Sequence, residues 1–291
     1  MSKIPEQNGR GLEFAFAQAF LDCFVNGALD HGGRIDLLKA KFDSCDPSIQ
    51  SRFRRAALAY FSIHGVSPGS PSERHDASLK LFSDEEAQHF GVRDFSLVIG
   101  TTSQDVSLKH NHFALKHPRI PSLMQSLGVM KGLEEDLRYR SEYQDLLKSI
   151  WDELKVAGVN LDSFASLGKM KFEVLYPRVM QFMAENINRF GSNGPAVQQL
   201  FQFLTGGDHV KVVVLPKKIQ IFDLRLLKRP KKMVAWTDPK YLNYMYIAFE
   251  DSLTVSYRVK NDKRELNLTS PNLKPDVQPV SDLPLISEFE F

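Results

Sequence analysis

Two carboxylates and an ammonium fall close together between Arg93 and Arg119, in the stretch RDFSLVIGTTSQDVSLKHNHFALKHPR. Asp94 opens a run, Arg93 to Gly100, that alternates polar and apolar residues as a half-buried strand does. Gly100-Thr101-Thr102-Ser103 reads as a tight turn. Gln104 to Lys109 then alternates again, with Val106 and Leu108 on one face and Asp105, Ser107 and Lys109 on the other. A two-residue loop at Thr101-Thr102 would set Asp94 opposite Lys109, Ser96 opposite Ser107 and Val98 opposite Asp105. Opposed residues share a face, with Cβ atoms roughly 5 Å apart. Carboxylates on such a face can hold a hard divalent cation such as magnesium, which takes one or two of them and fills its shell with water or phosphate oxygens. The ion would activate a bound water and neutralise phosphate charge, and a neighbouring lysine would orient that water or offset charge in the transition state. The bland alternative is a surface Asp–Lys pair worth about 0–1 kcal/mol.

The residues that follow favour the first reading. Lys109 to Arg119 holds three His, two Lys and an Arg in eleven residues without one acid. Such a run attracts polyanions, and its donors suit phosphate oxygens and the acceptors of guanine. Asp94 followed by Asp105-Val106-Ser107-Leu108-Lys109 is a loose form of the acid, then acid-x-lysine signature of metal-dependent nucleases.

The segment resembles the HaeIII-like type II restriction endonucleases, whose hallmark is Ser-x-Lys-His-Asn-His-x-Ala-x-Lys-His after an Arg-Asp strand. The matching residues are Arg93-Asp94, Ser107, Lys109, His110, Asn111, His112, Ala114, Lys116 and His117. The resemblance implies an α/β fold with a PD-(D/E)XK-like core, a mixed sheet flanked by helices. It implies magnesium-dependent cleavage of both strands of double-stranded DNA at a short G/C-rich palindrome such as GGCC. It also implies a cognate DNA methyltransferase in the same host; a palindromic target favours a homodimer, with a monomer acting twice as the alternative. On this reading Asp94 and Asp105 bind metal and Lys109 positions the attacking water. His110, Asn111, His112, Lys116, His117 and Arg119 contact DNA. The chain departs from the nuclease signature at Ser107, which stands where an acid is usual two residues before the lysine.

The surrounding elements must position these groups. Gly11 to Phe24 reads as a helix whose Phe16, Phe20 and Phe24 recur at helical spacing, and Glu13 falls on their side. A carboxylate on a buried face needs a partner or a metal, so Glu13 joins the catalytic candidates. Otherwise it serves the helix dipole at about 0.3–1 kcal/mol. The resemblance reaches this helix through Arg10-Gly11-Leu12-Glu13-Phe14. Ile35–Phe42 and Ser48–Ile63 read as further helices, the second started by Asp46-Pro47. Val66 to Ser72 reads as a loop, and Ser83-Asp84-Glu85-Glu86 as the capped start of a short helix ending near Gly91. Tyr143–Ala157, Phe172–Phe190 with Pro177 in its first turn, and Ala196–Leu204 are helical by period, with Met180 and Met183 as core filler.

Composition changes at Thr205-Gly206-Gly207. The expectation is a nuclease core with helical elaborations over residues 1–204, and over 205–291 a mainly β region packed on it and contributing to DNA binding. Its strands would be Val210–Leu215, Ile219–Leu227, Met233–Trp236, Tyr244–Glu250, Leu253–Lys260 and Glu265–Leu268, followed by a Pro-rich segment from Pro271 to Pro284. Leu224 to Lys232 carries five cations and no acid beside Trp236, Tyr241, Tyr244 and Tyr246, a pattern suited to phosphate contacts. Arg258 and Lys260 alternate on a strand and would enter a groove, arginine to guanine being the expected specific contact.

Apolar content of 43% and charged content of 25% are those of an ordinary globular chain, and 291 residues suffice for a real core. A net charge of +2 assigns any affinity for nucleic acid to local patches rather than a global field. Cys23 and Cys45 are too few for a disulfide scaffold and lack metal-site spacing. No signal peptide or membrane-length apolar run is read, so a cytoplasmic location is expected. Two other readings stay open: an HNH-type nuclease centred on His110-Asn111-His112, and a non-catalytic DNA-binding protein.

Overall fold

Phe16 and Phe20 lie one turn apart on α1 (Ile4–Cys23), and that spacing makes the helix an aromatic wedge. The Phe16 ring sits 5.5 Å from that of Tyr60 and 5.7 Å from that of Phe95, so one side chain joins two helices to a strand. The computed structural model describes residues 4–24, 26–66, 76–83, 85–86, 93–261 and 265–291. After α1 come β1 (Ala28–Asp30), α2 (Ile35–Asp43), α3 (Pro47–Ser62), β2 (Ala77–Leu81), β3 (Phe95–Ile99) and β4 (Thr102–His110). Then follow α4 (Glu134–Val156), α5 (Tyr176–Arg189), α6 (Gly194–Thr205), β5 (Val210–Val214), β6 (Lys218–Asp223) and β7 (Met233–Thr237). The last are β8 (Tyr244–Phe249), β9 (Thr254–Asn261), β10 (Leu273–Pro279) and β11 (Leu285–Glu290).

These elements make two units, Met1–Phe113 with Gly206–Leu226 and Leu283–Phe291, and Ala114–Thr205 with Leu227–Asp282. The first holds a seven-stranded mixed sheet in the order β1-β2-β3-β4-β5-β6-β11. β1–β2 and β4–β5 are parallel and the other neighbours antiparallel. One face of the sheet, with Phe95, Leu97, Val106, Leu108, Val210 and Val212, is buried in a core shared with α1, α2 and α3. Asp46 caps α3 by accepting from the Ser48 amide at 2.8 Å, with Pro47 in the first turn, as its sequence foretold. Cys23 and Cys45 are free and buried, and burial pushes the Cys23 thiol up to about 11.

The β3–β4 hairpin differs from expectation in its turn. Ile99 pairs with Thr102 and Ser96 with Asp105, so the loop is Gly100-Thr101 and not Thr101-Thr102. Gly100 has φ +58°, the sign a Gly-first hairpin loop asks of its leading residue. The register moves by two residues, and an even shift keeps every side chain on its expected face.

The second unit carries a four-stranded antiparallel sheet, β10-β9-β8-β7, with α5 packed on β7 and β8. Val179, Met180, Met183 and Ile187 form the buried side of α5. The Pro-rich tail contains β10, where Pro275 and Pro279 are tolerated because an edge strand has one side free of ladder bonds. Glu265–Leu268 forms one bridge, from Glu265 to Ser163, in place of a strand. Space divides the chain differently from the boundary expected at residue 205: β5, β6 and β11 complete the first sheet, whereas α4, α5 and α6 belong to the second unit. Ser83 and Glu86 exchange the reciprocal bonds of a capping box at 2.8 and 3.2 Å. The remaining positions of the expected helix, Asp84 and 87–91, and residues 67–72 of the expected loop lie outside the described residues. No described helix is long and apolar enough to cross a membrane.

Replacing Gly100 with Ala forces a side chain into the left-handed region, so Gly100→Ala should lower stability by about 1 kcal/mol in denaturant melts. An unchanged midpoint would contradict the turn described.

Candidate active site

β3 begins at Phe95, whereas β4, antiparallel to it, continues past that point beside β5, Val106 pairing with Val210 through His110 with Val214. The last antiparallel bond joins the Asp94 amide to the Val106 carbonyl at 2.8 Å. One pleat further, the Leu108 N–H lies beyond the β3–β4 ladder, and a buried N–H without an acceptor costs about 1–3 kcal/mol. Asp94 Oδ2 accepts it at 2.5 Å. Lys109 Nζ stands 3.7 Å from the same oxygen. The two residues that chemistry singled out thus meet at the fork between two strands.

A cleft of about 520 Å³ opens there, lined by Asn8, Gly9, Glu13, Asp94, Leu108, Lys109, His110, Asn111 and His112. α1 contributes the first three. Glu13 is 6% exposed, on the side of Phe16 as its spacing required. Arg10 Nη1 donates to Glu13 Oε1 at 2.9 Å, and Arg34 Nη1 lies 3.8 Å from Oε2. Burial, then the charge of Asp94, push the Glu13 carboxyl up to about 7 against the pull of Arg10 and Arg34. Two carboxylates in one cleft repel, and a divalent cation between them would relieve that.

His110 closes the inner wall. Its ring meets that of Phe53 edge-on at 5.0 Å, and its Nδ1 lies 3.4 Å from Asn8 Nδ2. Its Nε2 is buried without a hydrogen-bond partner. Burial first, then Arg52 and His112, hold the imidazole below its usual range. Asn111 follows with φ +60°, a left-handed conformation that Asn tolerates better than most residues. The turn it makes carries the chain out of β4 and leaves Asn111 and His112 exposed on the cleft.

Asp105 is placed elsewhere. Arg93 Nη1 binds its Oδ2 at 2.6 Å, and it does not line the cleft. The basic run itself divides. Lys109 to His112 line the cleft of the first unit. In the second unit, Lys116 Nζ lies 4.7 Å over the Phe203 ring, and His117 is held low by burial and then by Lys274, with Arg119 and Lys260 also acting on it.

Parallel pairing brings in residues that the sequence reading passed over. Ser107 lies beside Lys211 on β5, and both are buried on the face that bears Asp94 and Lys109. Ser107 Oγ has no hydrogen-bond partner. Burial, then Lys109, bring the Lys211 ammonium down to about 7 against the opposing pull of Asp94. His209, also buried, is held at about 3 by burial and the cations Lys211, Lys109 and Arg93. A lysine interrupting Val210-Lys211-Val212-Val213-Val214 was the available signal, since a charge inside an apolar strand demands a reason. Arg34, outside any motif, gave none.

Among the described residues no three His, Cys, Asp or Glu converge as a metal cluster. The set fits magnesium, which needs one or two carboxylates, better than zinc, which needs a full ring of protein ligands. Over 245 residues the chain is 23% identical to the type II restriction enzyme HaeIII of Haemophilus aegyptius, covering 80% of this chain and 76% of that one. No protein-family model and no solved structure matches.

Burying Lys211 and His209 costs stability wherever the unfolded chain binds a proton that the folded chain refuses. For His209 that window runs from pH 6.5 down to about 3, so stability falls as pH drops through it, and His209→Gln should flatten that acid limb in thermal melts from pH 4 to 7. For Lys211 the window runs from about 7 to 10.5. Lys211→Met should therefore raise the melting temperature more at pH 7 than at pH 10, and equal gains at the two pH values would refute the assignment.

Proposed function

We propose that the chain is a magnesium-dependent, sequence-specific endonuclease acting on double-stranded DNA in a restriction system. The observation that carries this reading is Asp94 and Lys109 meeting 3.7 Å apart at the fork of β3 and β4, with Glu13 in the same cleft. The similarity to a type II restriction enzyme supports it. A PD-(D/E)XK-like core is part of the proposal, with Ser107 in the place usually held by an acid.

Asp94 and Glu13 are the proposed magnesium ligands, with Asp105 left to its ion pair with Arg93. When bound, the ion lowers the pKa of a water and neutralises charge on the scissile phosphate. Lys109, held beside Asp94, orients the attacking water and offsets the charge that grows on phosphate oxygens. His112 and Asn111, exposed at the mouth, donate to the backbone beside the cut bond. His110 packs behind them against Phe53 and keeps the rim in place. In the second unit Lys116, His117, Arg119, Arg258 and Lys260 are the DNA contacts. A G/C-rich palindrome, GGCC by resemblance, a homodimer and a protecting methyltransferase complete the proposal.

Asp94→Asn and Lys109→Met should each reduce cleavage of phage DNA with magnesium by 10²-fold or more. Both should still bind duplex in EDTA. Full cleavage by Asp94→Asn with loss in His112→Ala would instead support the HNH reading. A wild-type chain that binds duplex and leaves it intact with magnesium would support a non-catalytic DNA-binding protein.

A further inference from the structure

The open face of the second unit's sheet is ordered in rows that cross the strands. Trp236, Tyr246, Ser256 and Gln278 stand side by side in one row, and Tyr244, Arg258 and Asp276 in the next. Lys260 and Lys274 oppose each other in a third. Alternate residues of β8 and β9, such as Met245, Ile247, Val255 and Tyr257, are buried, so these rows face away from the core.

Arg258 is held, not loose. Its Nη2 donates to Asp276 Oδ2 at 2.7 Å, and its guanidinium lies 5.8 Å from the Tyr244 ring centroid. Gln278 Nε2 donates to the other oxygen of Asp276 at 3.0 Å, which fixes the carboxylate that fixes the arginine. Yet the Arg258 side chain keeps 38% of its surface exposed. A half-exposed guanidinium already fixed in place loses little freedom when it binds a planar acceptor pair. Lys260 and Lys274 are exposed and directly opposed. Two ammonium groups so placed suit an anion lying between them. Lys274, Arg119 and Lys260 all act on His117, so the end of the basic run lies at the same corner. β10 is the edge of the four-stranded sheet, and beyond the last β8 pair at Tyr244–Arg258 β9 runs on with β10 alone, Lys260 beside Lys274, a narrow corner of a width that the major groove of B-DNA admits.

We infer that this sheet edge reads sequence: Arg258, braced by Asp276, Gln278 and Tyr244, donates to a guanine edge in the major groove of duplex DNA, while Lys260 and Lys274 bind the flanking phosphate. The inference rests on the nuclease reading for its duplex partner and assigns the specificity that reading left unassigned. Asp276 and Gln278 are positioning residues, since they act through Arg258.

The test uses the full chain in EDTA and a pool of duplexes with a randomised centre, from which bound molecules are recovered and sequenced. The wild type should enrich a motif containing guanine. Arg258→Met, and Arg258→Lys as the variant that keeps the charge, should each lose preference for guanine at one position by about 10- to 100-fold and keep the others. Asp276→Asn should weaken the same position only. Lys274→Ala should lower affinity for all sequences alike and reduce the salt slope by about 1. Unchanged guanine preference in both Arg258 variants overturns the inference, as does a wild-type pool with no preference. Adding magnesium to the recovered duplexes separates the two readings. An enriched motif that is never cut, with the Arg258 effect intact, sinks the nuclease and leaves the reader standing; one cut identically by wild type and Arg258→Met does the reverse.

Discussion

Where the β3–β4 ladder gives out while β4 continues, one amide must find an acceptor, and Asp94 provides it at 2.5 Å. The arrangement at the cleft depends on that constraint. It fixes the carboxylate on the sheet instead of on a mobile loop, and it holds Lys109, the next residue along β4, within 3.7 Å of the same oxygen. A group anchored by the backbone ladder cannot swing away, which is what a reacting centre requires of its ligands.

Around this anchor the chain accepts local costs. Glu13, Lys211 and His209 are all buried, and each has its protonation displaced by burial first. An apolar residue in any of these places would fold more readily. Titratable groups held so far from their ordinary ranges, next to a cleft with further carboxylate and ammonium groups, are the pattern on which the proposed function draws. The aromatic wedge of α1 offsets the cost, since Phe16 and Phe20 are fully buried on the helix that delivers Glu13.

The second unit answers a different demand. Its sheet buries one face and leaves the other open, so alternate positions on β8, β9 and β10 can serve recognition without disturbing packing. The basic run after Lys109 supplies both units, with its first residues at the cleft and its last beside Lys260 and Lys274.

Local rules carried much of this from the sequence. Period marked α1, α2, α3 and α5, alternation marked β3 and β4, and the helical angle placed Glu13 on the buried side, because each depends only on neighbours in the chain. Parity of the strands kept Asp94 and Lys109 on one face even though the turn was misplaced by a residue. Long-range pairing was not legible. The parallel register of β4 with β5 brings Lys211 beside Ser107, more than a hundred residues away, and no spacing encodes that. Asp105 reads in the sequence as a second metal ligand, less secure than Asp94, and only the fold shows it bound to Arg93 and off the cleft. β10 was hidden because its prolines argue against a strand in general, and only its position at a sheet edge lifts that objection. What sequence settles is which way each side chain faces. Which distant side chain stands opposite is decided by tertiary structure, because burial and the hydrogen-bond ladder act between segments that the chain itself keeps apart.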